Sequence, residues 1–192
     1  PEDIASLVNG IINGTAICVT DGYYKTKFGT TTLILQSTLE APEGITLVNQ
    51  TPGELSDQDA YRTELGGIYG CIAYANHLAT IHNITNGEIT LACDCWLALL
   101  NVFIHSFDSP SQAQYDLVHA CRLLTRNSPI KWKPHHVKGH QDDHIAYNEL
   151  DRWGQLNVDM DNLAKQHWRH INKEQQRYFS LPPTNEWSLW RN

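Results

Sequence analysis

At 192 residues the chain has the length of one ordinary domain, enough for a single buried core. An apolar content of 41%, with 6 Trp and 8 Tyr, excludes a disordered chain. No run approaches the ~18 consecutive apolar residues that cross a bilayer, no basic-then-apolar leader argues for secretion, and a formal charge of −7 counts against a bare polyanion-binding surface.

In chain order, residues 1–13 carry no strong signal and predict a loose lead-in or short helix. The apolar, β-branched run Ala16-Ile17-Cys18-Val19-Thr20 stops at Asp21-Gly22, which predicts a buried strand over Thr15–Gly22 ending at a turn. Tyr23–Gly29 suits a loop or hairpin connection. Thr30–Gln36 and Ile45–Gln50 read as two further strands separated by the turn Ala41-Pro42-Glu43-Gly44. Strands joined this closely predict an antiparallel meander.

Leu65, Ile68, Ile72, Ala75 and Ala79 then fall on one helical stripe. Gly66, Gly67 and Gly70 within it each cost up to ~1 kcal/mol against Ala, which makes sense where a helix lies close against a sheet. Glu88–Cys93 is a fourth strand that ends at Asp94, and a short helix follows over Trp96–Ile104. Ser109-Pro110-Ser111-Gln112 has the form of a capping box, with Ser109 as N-cap, and predicts the start of a helix that buries Leu117, Ala120, Cys121 and Leu124. Ile130–Val137 is a fifth strand, placed at a sheet edge by Pro134. Lys138–Trp153 is polar and reads as a long mobile loop. The last helix is expected over Leu156–Arg177, and Pro182-Pro183 ends the domain. The expected division is thus 1–13 lead-in, 14–178 catalytic domain and 179–192 C-terminal tail. The chain opens on Pro1 without a methionine, which fits a fragment cut from a longer protein.

The cysteines Cys18, Cys71, Cys93, Cys95 and Cys121 sit in apolar segments and read as buried hydrophobes in a reducing compartment. An intracellular location, nucleus or cytoplasm, follows as the expectation. Cys93 and Cys95 with His135 and His136 match no zinc spacing. The sequons at Asn13, Asn49 and Asn83 read as chance.

Asp21 ends one strand and Asp94 another. An acid in that place is a turn former or a metal ligand, and the count of acids arriving in equivalent places decides between them. A right-handed crossover makes the fourth strand a parallel partner. If that partner is the first strand, Asp21 and Asp94 stand side by side at carboxyl ends, where open α/β sheets place their sites. Glu64 approaches from the border of the crossover helix's stripe. Asp159 and Asp161 point about 200° apart on the last helix, and Asp161, sharing a face with Asn157 and Lys165, is the choice. Carboxylates so crowded raise one another's pKa unless cations sit among them. All-oxygen ligation selects Mg²⁺, with Mn²⁺ as substitute, and two such ions held ~4 Å apart are the apparatus for in-line attack of water on a phosphodiester.

The motifs V-T-D-G around Asp21, Y-R-T-E-L around Glu64, L-A-C-D around Asp94, H-V-K-G-H at His136–His140 and N-V-D-M-D-N-L-A-K at Asn157–Lys165 together resemble type 1 ribonuclease H. The form resembled is the one carried by reverse transcriptases of retroelements of the non-LTR type, and the resemblance covers Thr15–Lys173. It implies a ribonuclease H-like α/β fold: a five-stranded mixed sheet in the order 3-2-1-4-5, strands 1–3 antiparallel, flanked by helices. It also implies cutting of the RNA strand of RNA/DNA hybrids with two Mg²⁺ held by Asp21, Glu64, Asp94 and Asp161. His140 matches the family's loop histidine, which helps water attack or product leave. Arg62 and Asn157 match positions near the substrate. Lys138, in the basic stretch from Lys131, is a further candidate for phosphate contact. The expected partners are an RNA/DNA hybrid and a covalently linked reverse transcriptase domain, on a monomeric chain with no membrane role. The rival readings are an integrase- or resolvase-like DNA-processing enzyme and a non-catalytic module that binds nucleic acid or protein.

The sequence also departs from the family. The Gly-rich segment after the first aspartate is reduced to Gly22 and Gly29, Cys95 replaces a small polar residue, and no basic helix stands between Trp96 and Arg126.

Overall fold

The computed structural model of the chain describes residues 4–105 and 109–171. Its elements are α1 (Ile4–Asn13), β1 (Ala16–Lys25), β2 (Phe28–Gln36), β3 (Ile45–Gln50), α2 (Ala60–Ile81), β4 (Gly87–Cys93), α3 (Trp96–Leu99), α4 (Tyr115–Arg126), β5 (Ile130–His136) and α5 (Arg152–His170). The strands form one sheet in the order β3-β2-β1-β4-β5. β1–β2 and β2–β3 are antiparallel, whereas β1–β4 and β4–β5 are parallel, as predicted.

The pleat of β1 divides the protein. Ala16 and Cys18 face one core, built with Leu65, Ile68 and Ile72 of α2 and Leu117 and Cys121 of α4. Ile17 and Val19 face the other, with Ala92, Val137 and Leu156 and Met160 of α5. Alternate side chains of a strand leave opposite faces, so this one segment nucleates both layers. α2 can lie flat on the sheet because of its glycines: a Cβ at Gly66 would sit 2.5 Å from Thr31 Cγ2, and one at Gly67 3.0 Å from Thr20 Cβ. On the other face, Thr30 Oγ1 donates to Ala164 O (2.8 Å) and Thr32 Oγ1 to Met160 O (3.0 Å), clamping α5 to β2. β5, with Pro134, lies at the sheet edge, where the missing N–H is harmless.

Several boundaries differ from the expectations. Residues 1–13, expected as a loose lead-in or short helix, carry the helix α1, whose Leu7 and Ile11 are wholly buried in the main core. The connection expected over Tyr23–Gly29 shrinks to Thr26 and Lys27, with φ of 53° and 109°, because Lys25 already pairs with Phe28. The predicted short helix is α3 followed by a π-helical turn, Leu100–Ile104.

The capping box at Ser109 is not used: α4 starts at Tyr115, after Gln114 at φ 55°. A tertiary network overrides the local signal. Gln114 donates to Asp57 O (2.9 Å) and Asp59 Oδ2 (2.8 Å) and accepts from Arg62 Nη1 (2.5 Å), which fixes it in a left-handed conformation. The loop expected to run to Trp153 contains 3-10 turns at Gln141–Asp143 and Tyr147–Glu149 and gives way early to α5, because Asp151 caps it by accepting from Gly154 N at 2.8 Å. The expected stretch of the last helix beyond 171, with Lys173 and Arg177, and the tail lie outside the described residues.

Candidate metal centre

The parallel register carries the site. Val19 pairs with Ala92, so two residues further along each strand Asp21 stands level with Asp94 at the carboxyl edge of the sheet. Asp21 is only 5% exposed. Its Oδ1 accepts from Gly22 N (2.6 Å) and its Oδ2 from Asn157 Nδ2 (3.1 Å). Asp94 is fixed from its backbone: Asp94 O accepts Trp96 N (3.1 Å) and His136 Nε2 (2.9 Å). Gly139 lies so close to the Asp94 carboxylate that a Cβ there would collide with Oδ2.

Glu64 comes from the first turns of α2, whose N-cap Asp59 accepts from Arg62 N. Its Oε2 accepts from the Cys93 thiol at 3.6 Å, and ligand atoms of Glu64, Cys93 and Asp94 all lie within 4.8 Å of one another. Asp161 joins from α5, paired with Lys165 Nζ at 2.5 Å, while Asp159 turns away to accept from Tyr147 Oη at 3.0 Å. Asp21, Asp94, Asn157 and Asp161 line one small cleft with His140, Asp142 and Val158. His140 sits at its rim, exposed, with φ 52°.

The electrostatics follow from the crowding. Burial, then the charges of Asp94 and Asp161, push the Asp21 carboxyl well above its ordinary pKa. Burial, then Asp21 and Asp94, do the same to Glu64. Asp94 is raised chiefly by burial, against the pull of His140 and His136. Lys165 gains from Asp161 more than its partial burial takes away, so its pKa is raised. Buried carboxylates under mutual strain, with only oxygen donors to offer, fit a hard divalent cation. Burial, then Glu64 and Asp94, hold the Cys93 thiol well above its ordinary pKa in the cation-free protein.

Arg62, expected near the substrate, is engaged inside the protein. It is 1% exposed, pairs with Asp116 through both nitrogens (2.8 and 2.5 Å) and donates to Pro52 O (2.5 Å). Its guanidinium ties the loop before α2 to α4. Lys138 is exposed near the rim. His135 packs against Trp153 with tilted rings (centroids 4.5 Å, planes at 34°) and His136 is bound to Asp94 O, and the imidazoles and Cys95 form no zinc cluster among the described residues.

Sequence reasoning placed Lys165 on the face of Asp161 but missed their ion pair, although the i,i+4 spacing was available. It also missed Asp142, which no periodicity marks, and the contact of Cys93 with Glu64, which strand alternation placed on the correct face.

The sequence matches no protein-family model and no curated protein. The crystal structure of RNase H1 from the halophilic archaeon Halobacterium salinarum NRC-1 is similar at a TM-score of 0.53 and 14% identity, covering 82% of this chain and 100% of that one. The fold is that of ribonuclease H. Within this ribonuclease H fold, Asp21 lies on β1, Glu64 on α2, Asp94 directly after β4 and Asp161 on α5. Among the described residues, no helix is long and apolar enough to cross a membrane.

Proposed function

We propose that the chain is a divalent-cation-dependent endonuclease that hydrolyses the RNA strand of RNA/DNA hybrids, as the domain of a retroelement polyprotein that also carries a reverse transcriptase. The observation that carries this reading is the convergence of Asp21, Glu64, Asp94 and Asp161, drawn from four elements of a ribonuclease H fold, into one electrostatically strained group.

These four residues would hold Mg²⁺, with Mn²⁺ as a substitute. When bound, two such cations supply the acidity that makes water a nucleophile and the positive charge that a departing alkoxide needs. Asn157 orients Asp21 through Oδ2 and keeps that carboxylate aimed into the cleft. Lys165, paired with Asp161, would offset the charge of that carboxylate while no cation is bound. His140, exposed at the rim, moves a proton between solvent and the reacting phosphate. Lys138 meets the backbone of the duplex outside the cleft. RNA is distinguished from DNA by its 2′-hydroxyls in the wide, shallow minor groove.

The test is incubation of the purified chain with an end-labelled RNA/DNA hybrid, duplex DNA and duplex RNA, each with and without Mg²⁺. Cutting of the RNA strand of the hybrid alone is the expected result. Cutting of duplex DNA alone would favour the integrase-like reading. Binding without cutting under Mg²⁺ or Mn²⁺ would favour a non-catalytic module.

A further inference from the structure

Cys93 belongs by burial to the core on the α2 side of the sheet, yet its sulfur has polar partners. The thiol donates to Glu64 Oε2 at 3.6 Å, and Sγ itself accepts from Cys95 N at 3.3 Å. A buried cysteine that served only as a small hydrophobe would need neither contact. Asp94, the next residue, adds a third donor, so that sulfur and both carboxylates offer ligand atoms within 4.8 Å of one another.

These spacings suit a particular ion. A tetrahedral zinc ion, with sulfur at ~2.3 Å and carboxylate oxygen at ~2.0–2.2 Å, sets its S and O ligands about 3.5–3.7 Å apart. Cys93 Sγ and Glu64 Oε2 already stand at 3.6 Å. A backbone N–H directed at a ligating sulfur is the kind of outer contact that tunes metal thiolates, and Cys95 N supplies one. We propose that Cys93 Sγ, Glu64 and Asp94 form a site for a thiophilic divalent cation of the zinc class, with the fourth position left to water. Binding breaks the Cys93 S–H bond: the proton leaves to the buffer and the sulfur's electron pair goes to the cation, with no change of oxidation state. Mg²⁺ does not use that sulfur, because hard cations take oxygen ligands. Glu64 and Asp94 serve both ions, so zinc excludes Mg²⁺ and stops hydrolysis. That last consequence rests on the nuclease reading above, whereas the site itself does not.

Co²⁺ is the probe, because a tetrahedral Co²⁺ thiolate absorbs strongly in the near ultraviolet and visible, whereas an octahedral all-oxygen complex is pale. The purified chain is titrated with Co²⁺ as wild type, C93S, C93A and C95S, and Zn²⁺ is then added. Wild type and C95S are expected to develop the thiolate band up to about one equivalent, to release about one proton, and to lose the band to Zn²⁺. C93S is expected to show no such band and to bind Zn²⁺ at least about 100-fold more weakly, since loss of even an outer partner of a ligand costs about 10–100-fold. C93S keeps a donor to Glu64, C93A gives the same reading if C93S unfolds, and circular dichroism checks each fold. No band in wild type, or a band of wild-type strength in C93S or C93A, overturns the site. So does loss of the band in C95S, which would put Cys95 among the ligands, and so does a band indifferent to excess Mg²⁺, which would mean that the carboxylates are not shared. Zn²⁺ added to hybrid cleavage in Mg²⁺ should inhibit wild type at about 100-fold lower concentration than C93S. A chain that shows the band but cuts no hybrid under Mg²⁺ overturns the nuclease reading and leaves the site standing.

Discussion

Asn157 and Asp21 stand 136 residues apart in the chain, and Asn157 Nδ2 donates to Asp21 Oδ2 at 3.1 Å inside the protein. The bond joins the first turns of α5 to β1 just beyond the point where its pairing with β4 stops. It also leaves Asp21 with both oxygens engaged, since Gly22 N serves the other. A neutral donor relieves a buried carboxylate without competing with a cation for charge. Loss of a partner that orients a metal-binding carboxylate typically costs about 10–100-fold in metal affinity or activity, so N157A is expected to lower hybrid cleavage by roughly that factor. The dependence of rate on Mg²⁺ concentration checks it: the half-saturating concentration should rise in N157A.

The raised carboxyls make a statement about pH. Asp21, Glu64 and Asp94 hold protons in the folded, cation-free protein at pH values where the unfolded chain has lost them. Their contribution to stability is therefore complete below about pH 4 and is lost as pH rises through the elevated folded values. Thermal melting in EDTA should show the cation-free protein losing stability across that window. Mg²⁺ should restore it, by more at higher pH, because the ion needs the deprotonated form. E64Q removes one of the repelling charges and should melt higher than wild type in EDTA at alkaline pH. A Mg²⁺ effect independent of pH would contradict the assignment of these groups.

Arg62 is expected to matter for stability rather than for substrate. R62A loses the guanidinium's bonds to Pro52 O, Gln114 and Asp116 and should cost about 1–3 kcal/mol, less than a fully buried ion pair because the Asp116 side chain is 29% exposed. Denaturant unfolding measures this directly. Where R62A remains folded, its hybrid affinity should match wild type, and a selective loss of affinity with no loss of stability would return Arg62 to the substrate.

His140 protrudes at the rim of the cleft in a left-handed backbone conformation. H140A should slow turnover by roughly 10²-fold without ending it, the low end for a positioned acid or base. The pH–rate profile is the check: one limb should flatten in H140A, and an unaltered profile at an unaltered rate would remove His140 from the mechanism.

What could be read in the sequence was what local pattern determines. Alternation along Ala16–Thr20 sets which residues face which layer, although the first strand runs on to Lys25 and does not end at Asp21. Gly66 and Gly67 announced a helix close against a sheet before the Thr31 and Thr20 contacts were visible. The misreadings concern residues whose partners are distant. Arg62 looks like a free cation until Asp116, 54 residues on, is placed beside it. The Ser109 signal is sound locally and loses to Gln114, whose conformation is set by Asp57, Asp59 and Arg62. In the site, Asp161 was separable from Asp159 by helical angle alone, whereas Asp142 reaches the cleft through a loop that has no period to read.

The most direct measurement is single-turnover cleavage of an end-labelled RNA/DNA hybrid by wild type and D21N as Mg²⁺ is titrated, with circular dichroism on both proteins. Wild type should cut the RNA strand only when Mg²⁺ is present, and D21N, folded alike, should give no detectable product at any Mg²⁺ concentration. Cleavage by D21N at a wild-type rate, or by wild type in EDTA, would contradict a centre built on cations held by the clustered carboxylates.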